Sequence, residues 1–466
     1  MGVRLTAVLS ISLMVLVVAG AGTGRNDNSD QILWSWTGGV TGSSAVVKVA
    51  AATDAPVVLT LTDVASGAMR EVTGTTEAAP SRTARNRTVT TFPLRDLSSG
   101  TQYAFQLRLA GSQEVSHGAF KTLETADDQK FTFAFASCAK SDHRIFSLIA
   151  DRSPDLFIHM GDLHYANISR WNFWGSSPKK TAKYEKKFAS AYDKAFGPHQ
   201  RELFSKVPVV YVWDDHDYGP NNSGSWSASK DAARASYRTH VPRSSLGPTT
   251  IEQDFSVGPV RFLITDNRSE RTKVSGSKAR GERSMLGSEQ KQWLLRQLAR
   301  AAADSVSLVV WVNTVPWITN QGEKGDGWRE YPSERTEIAK VIENHGLSSR
   351  MLILSGDAHM LAISDRSASN YSTANDTGTG GRAGGPLVFH AGPLNNKTSI
   401  KGGPYLATVP TKEGKMRVQQ FGMATLTIRS RQVVAELVGM RHEEGKLVQE
   451  PRIKLTLKCD QRGCTP

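Results

Sequence analysis

The chain predicts an α/β fold preceded by an all-β segment, on three observations. From Gln31 to about Thr122, apolar residues fall in short runs with partial period-two alternation, separated by turn residues. From Phe131 onward, strand-length apolar runs alternate with stretches of helical spacing. Carboxylates, histidines and a cysteine recur where the later strands end. They are densest in Val212-Trp213-Asp214-Asp215-His216-Asp217-Tyr218-Gly219-Pro220-Asn221-Asn222.

The N-terminus has the form of a secretory signal. Met1-Gly2-Val3-Arg4 gives a positive start, Leu5 to Val18 an apolar run, and Ala19-Gly20-Ala21 small residues for cleavage. The run is shorter than the ~20 residues needed to span a bilayer. Residues 1–21 are therefore expected to be a signal peptide, and the mature chain to be secreted, extracellular or periplasmic, with no membrane span after cleavage. Arg25 to Asp30 reads as a polar linker.

The all-β domain is placed at residues 31–124. Ala45 to Ala50, Val57 to Thr62 and Tyr103 to Leu109 are its clearest strands. Leu97-Ser98-Ser99-Gly100-Thr101-Gln102-Tyr103 has the pattern of a tyrosine corner, in which the phenol bonds back to the backbone at a sandwich edge. With Trp34 and Trp36, this resembles a fibronectin type III or immunoglobulin-like sandwich. Its expected role is structural or substrate-shaping.

A second polar linker, Glu124 to Gln129, leads into the α/β domain at residues 131–458. Strands are expected at Phe131 to Ala136, Leu156 to Met160, Val207 to Val212, Phe262 to Thr265, Val306 to Val312 and Met351 to Leu354. Helices are expected at Asp142 to Arg152, Thr181 to Phe196, Ser288 to Ala303 and Ser333 to Asn344. Met423 to Ile428, Val433 to Val438 and Ile453 to Leu457 read as consecutive strands. Asn221 to Ser229 and Ser367 to Gly385 read as mobile loops. Residues 459–466 read as a tail in which Cys459 and Cys464 can pair in an oxidising compartment. Cys138 is then left over, as a buried thiol or a metal ligand.

Composition sets the outer limits. The 466 residues are 39% hydrophobic and 22% charged, which excludes a disordered chain. Net charge is +13, which draws anionic partners. The basic residues read as scattered, with no long basic block and no nucleic-acid motif. The charge therefore reads as steering for an anionic substrate, with the chain acting as a monomer.

Three carboxylates and a histidine within four residues at a strand end are costly to bury unless positive charge sits among them. A metal ion explains them economically. Ser137-Cys138-Ala139-Lys140, Gly161-Asp162-Leu163-His164-Tyr165, Asp266-Asn267-Arg268 and Ser355-Gly356-Asp357-Ala358-His359 stand at other strand ends. Ligands gather at the carboxyl ends of strands in open α/β sheets, so these groups should converge.

The blocks resemble those of the calcineurin-like metallophosphoesterase superfamily. The Ser-Cys, Gly-Asp-x-x-Tyr, Trp-Asp-Asp-His-Asp and Ser-Gly-Asp-x-His variants resemble its PhoD-type alkaline phosphatase/phosphodiesterase family. The resemblance implies a metallophosphoesterase four-layer αββα sandwich holding at least two metal ions. It implies Cys138, Asp162, Tyr165, Asp215, Asp357 and His359 as ligands, with Asp162 bridging. Thiolate and phenolate on one ion suggest Fe3+, and an oxygen-rich second site suits Ca2+, with Zn2+, Mn2+ or Mg2+ as alternatives. The superfamily's further histidine is missing from Trp311-Val312-Asn313-Thr314, which leaves the second site poorer in nitrogen.

By the same resemblance, a metal-activated hydroxide attacks phosphorus. His216, held by Asp217, protonates the leaving group. Arg268 grips the phosphate, and Asn221 or Asn222 donates hydrogen bonds to it. The expected activity is hydrolysis of phosphomonoesters or phosphodiesters on a phosphorylated small molecule or polymer. One alternative is a phosphodiesterase or phospholipase D-like enzyme for nucleotides, wall polymers or phospholipids. Another, of a different class, is a non-catalytic secreted binding protein.

Overall fold

The computed structural model describes residues 31–465 apart from 83, 85, 127, 170–176, 245–250, 276–278, 320–326, 374–379 and 410–416. The expected signal peptide and the linker after it lie outside the described residues.

Two four-stranded antiparallel sheets form first. One runs Ile32–Gly38, Ala45–Ala51, Thr88–Leu94, Thr75–Ala78, and the other Met69–Val72, Val57–Asp63, Gln102–Leu109, Val115–Lys121. Their alternation buries Val47, Val49, Phe92, Leu59, Phe105 and Leu107. The Tyr103 hydroxyl accepts the Ser98 N–H at 2.9 Å, closing the corner read from the sequence.

Trp34 and Trp36 do other work than expected. They lie on the first strand but face the helices Pro178–Ala195, Pro198–Lys206 and Lys230–His240. Trp34 stacks on Phe196 at 4.8 Å and Trp36 on Phe204 at 5.3 Å. Their indole N–H groups donate to Asp193 Oδ1 and to the His240 carbonyl, so neither polar tip is buried unsatisfied. Arg87, fully buried, adds an ion pair to Asp193 at 2.8 Å. The sandwich is thus keyed to the helical layer by aromatic packing around a paired charge.

Lys48 lies at the same seam. Its ammonium donates to the Arg238 carbonyl at 2.8 Å, and burial pushes its pKa down from 10.5 to about 8. The unfolded chain therefore binds the extra proton between those two values. Stability is expected to rise with pH from about 8 to 10.5, this group contributing a slope of at most about 1.4 kcal/mol per pH unit. Urea unfolding of the parent chain and Lys48→Met across that range checks it. Identical slopes in the two chains would rule Lys48 out as the titrating group.

The rest of the chain builds two seven-stranded sheets. In the first, Leu156–Met160 lies between Val209–Val212 and Asp128–Ala136, all parallel. Gln420–Arg429, Gln432–Glu443, Lys446–Asp460 and Gly463–Thr465 then extend it as an antiparallel meander. In the second, Val260–Ile264, Leu308–Asn313, Met351–Ser355 and Leu387–His390 run parallel. Antiparallel strands flank them at both edges, Gln253–Val257 on one side, Leu361–Ile363 and Ala407–Val409 on the other.

The two sheets pack face to face. Phe133 meets Phe262 at 5.4 Å and Phe135 meets Phe389 at 5.1 Å, both edge to face. Helices cover the outer faces. Leu294, Leu298, Ile338 and Ile342 bury Trp311, Ile353 and Val388 on one side. Phe204 meets Phe157 on the other.

Several expectations change. Pro198–Lys206 and Lys230–His240 are helices that the periodicity did not reveal. The first follows the preceding helix after little more than Gly197, and the second buries mainly alanine, serine and one tyrosine rather than an aliphatic stripe. Asn221 to Ser229 is packed rather than loose: Ser229 donates to the Tyr218 carbonyl at 3.1 Å and Ser225 to that of Arg271 at 2.9 Å. Within the expected tail, residues 459–465 are structured, because Gly463–Thr465 pairs with the strand ending at Asp460 and Cys459–Cys464 is bridged.

Candidate metal centre

Parallel pairing brings the carboxyl ends of the strands to one rim, where the two sheets meet. Gly161 and Gly356 permit the close approach. A Cβ on Gly161 would stand 2.4 Å from Asp214 Cβ, and one on Gly356 2.6 Å from the Met160 carbonyl. Cys138, Asp162, Asp357 and His359 all take left-handed backbone, with φ of +66°, +59°, +55° and +51°. Such conformations are uncommon outside glycine and cluster where a site holds them.

Donor atoms of Cys138, Asp162 and His359 lie within 4.8 Å of one another. Donor atoms of Asp162, Asp215 and His216 do the same. Asp162 is common to both groups. The Tyr165 hydroxyl is 3.4 Å from His359 Nε2, and its ring centroid is 4.2 Å from that of His216. The donor set therefore fits two cations sharing one carboxylate. His216 restores to the second group the nitrogen that the missing histidine had seemed to remove.

The electrostatics agree with that fit. Burial pushes Asp162 well above the ordinary carboxylate range, and Asp215, Asp214 and Asp217 push it further. Burial likewise raises the Cys138 thiol and the Tyr165 phenol, and Asp162 adds to both. A cation among these groups favours each anion and reverses the shifts.

Asp217 is placed differently from expectation. Its carboxylate accepts the backbone N–H groups of Asp162 at 2.5 Å, His164 at 2.9 Å and Asp214 at 3.1 Å. It joins two strand-end loops and does not orient the His216 ring. That ring is held by Asn167, whose Oδ1 lies 2.7 Å from Nδ1. A proton on Nδ1 leaves Nε2 to offer its lone pair. Asn167 was missed, although its position two residues after Tyr165 in the same strand-end loop was the available signal.

Arg268 lies against carboxylates of the same cluster. Its guanidinium is fully buried, with Nε 2.5 Å from Asp214 Oδ1 and Nη2 3.9 Å from Asp215 Oδ1. Thr314 donates to the same Asp214 oxygen at 3.0 Å. Arg268 therefore braces Asp214 and, more distantly, Asp215. Asn221 and Asn222 are both exposed at the rim. Asn222 is the one tied inward, its N–H donating to Asp215 Oδ2 at 2.6 Å.

Asp357 belongs to neither donor group. Its Oδ1 accepts from Lys401 Nζ at 2.8 Å. Lys401 carried no signal in the sequence, because it follows no strand-end block and arrives from a distant loop.

A family model described as PhoD-like phosphatase matches residues 133–437. The chain is 26% identical over 289 residues to alkaline phosphatase D of Bacillus subtilis (strain 168), a match covering 52% of this chain and 48% of that protein. The chain therefore spans about half the length of that curated relative. A solved structure, the chitinase ChiW of Paenibacillus sp. str. FPU-7, aligns over 72% of this chain and 25% of its own at 11% identity. Its TM-score of 0.16 is too low to bear on fold or function.

Proposed function

The chain belongs to the PhoD-like phosphatase family, and from that premise we propose a secreted, metal-dependent phosphoesterase that hydrolyses phosphomonoesters or phosphodiesters. The observation that carries the proposal is Asp162, whose carboxylate is common to two donor groups. The facing sheets with helices outside support a metallophosphoesterase αββα sandwich over residues 131–458, behind a β-sandwich domain at 31–124.

Cys138, Asp162, His359 and Tyr165 would hold one ion, proposed as Fe3+. Asp162 and Asp215, with His216 beside them, would hold the second, proposed as Ca2+, with Zn2+, Mn2+ and Mg2+ as alternatives. When bound, such ions supply Lewis acidity toward phosphoryl oxygens and lower the pKa of water. The chain's own residues do the rest. Asp217 fixes the loops that carry Asp162 and Asp214. His216, oriented by Asn167, would take a second proton on Nε2, as the imidazolium, and pass it to the departing alkoxide oxygen as the ester P–O bond breaks. Asn222 positions Asp215 at the rim. Secretion is supported by residues 1–21 and by the Cys459–Cys464 disulfide. Among the described residues, no helix is long and apolar enough to cross a membrane. A monomer is proposed.

The test uses the purified metal-loaded chain with 4-nitrophenyl phosphate and bis(4-nitrophenyl) phosphate, alongside elemental measurement. Turnover of at least one ester is expected. No turnover of either with two ions bound would refute the reading. Tyr165→Phe is expected to lose a phenolate-to-iron absorption band and about tenfold in kcat, as for a removed partner of a metal site. A band that survives the substitution would remove Tyr165 from the iron site.

A further inference from the structure

Beside the metal centre opens a cleft of about 1230 Å³, reached past Tyr165 and Asn167. Its walls carry Lys140, Lys180, Lys183, Lys187, Lys194 and Arg82. Asp142 is the sole acid on the lining among the described residues, and it is turned away to accept the N–H groups of Gln200 at 2.8 Å and His199 at 3.2 Å.

The basic residues, scattered in sequence, are gathered by the helix Pro178–Ala195. Lys180, Lys183, Lys187 and Lys194 stand three, four and seven residues apart, which places them on one face. At 1.5 Å per residue they extend about 21 Å along the cleft. Like charges at such spacings destabilise a helix, and Asp193, one of its two acids, is taken up by Arg87. Among the described residues, Lys140, Lys183, Lys187 and Lys194 form no ion pair. Arg82 comes from the β-sandwich, whose loop is fastened here by the Arg82 N–H donating to Ser190 Oγ at 2.8 Å. The N-terminal domain thus supplies part of one wall.

We propose that this cleft is an anion subsite that takes the charges of an extended phosphodiester chain while one of its phosphates sits at the metal centre. The inference rests on the phosphoesterase reading and names its substrate class. A line of lysines about 21 Å long matches a chain of charges, and a small monoester would leave most of them unmet. Repeated charge, rather than any base or sugar, is what the lysines meet. Affinity is therefore expected to grow with chain length and to weaken with salt, by roughly 0.7 in the log–log slope per single-strand phosphate contact.

The experiment measures inhibition of bis(4-nitrophenyl) phosphate hydrolysis by orthophosphate and by oligothymidylates of two and eight nucleotides, on the full metal-loaded chain. The octamer is expected to inhibit at least tenfold more tightly than the dimer at low salt. In Lys183→Ala/Lys187→Ala its inhibition constant is expected to rise at least tenfold, with a shallower salt slope, while that of orthophosphate moves less than twofold. Equal inhibition by dimer and octamer overturns the subsite and leaves the phosphoesterase reading intact. Absence of any ester turnover overturns the phosphoesterase reading instead, and fluorescence-detected octamer binding still reports on the cleft. Retention on phosphatidylserine vesicles with no chain-length effect overturns the proposal in favour of a membrane-facing surface.

Discussion

Asp162→Asn is expected to lower kcat/KM on bis(4-nitrophenyl) phosphate on the order of 10³-fold, because metal-assisted hydrolysis rests several kcal/mol on the charge this carboxylate holds in place. The substitution keeps side-chain volume and the neighbouring backbone bonds, so the fold should survive. At least one ion should be missing from the purified variant. A second readout runs in the opposite direction. Burial and three neighbouring carboxylates raise the folded-state pKa of Asp162 above its ordinary value of 3.8. The folded, metal-free chain therefore binds more protons than the unfolded chain, and loses stability as pH rises above that value. Neutral asparagine removes the loss. The metal-free variant is thus expected to melt above the metal-free parent at pH 7, and the metal-treated variant below the metal-treated parent. Full metal content with parental turnover in Asp162→Asn would sink the shared-ligand assignment.

That behaviour explains how much of the site was legible beforehand. Every residue of the two donor groups stands within four residues of the end of a parallel strand, and the block pattern marks each, although it gave His216 to proton transfer and not to a donor group. What the pattern does not carry is which neighbour faces which. Asp217 sits beside His216 in sequence, yet one turn of helix, Asp215–Tyr218, directs its carboxylate to backbone N–H groups of the adjoining loop and leaves the histidine to Asn167. Lys401 reaches Asp357 only through the fold. The same limit applies on the larger scale. Tyr103 announced its corner because the contact is five residues long. Trp34 and Trp36 did not announce their partners, because Asp193 and His240 lie 159 and 204 residues away. The lysine stripe was invisible for a third reason. Its residues are spread over a helix, and only helical spacing, joined to a loop from the other domain, turns them into a wall.

The second large effect concerns Arg268 and Asp214. The pair is fully desolvated, with both side chains at 1% exposure or less. Its mutual attraction offsets the cost of burying each charge, so removing one partner strands the other. Arg268→Met is expected to cost about 3–5 kcal/mol in urea unfolding, since Asp214 is then buried beside other carboxylates with its cation gone. Adding Asp214→Leu should recover much of that loss, because replacing both partners of a buried pair by apolar groups is often near neutral. The cycle also decides between the role in the structure and the role the resemblance implied. A bracing arginine shows strong coupling to Asp214 and a change in KM that follows the loss of fold. An arginine that grips phosphate shows little coupling and raises KM for bis(4-nitrophenyl) phosphate tenfold or more in both backgrounds. With Nη2 3.9 Å from Asp215, bracing has a further consequence. Arg268 holds in place the carboxylate that defines the second donor group, so its loss should lower occupancy of the second ion before the first.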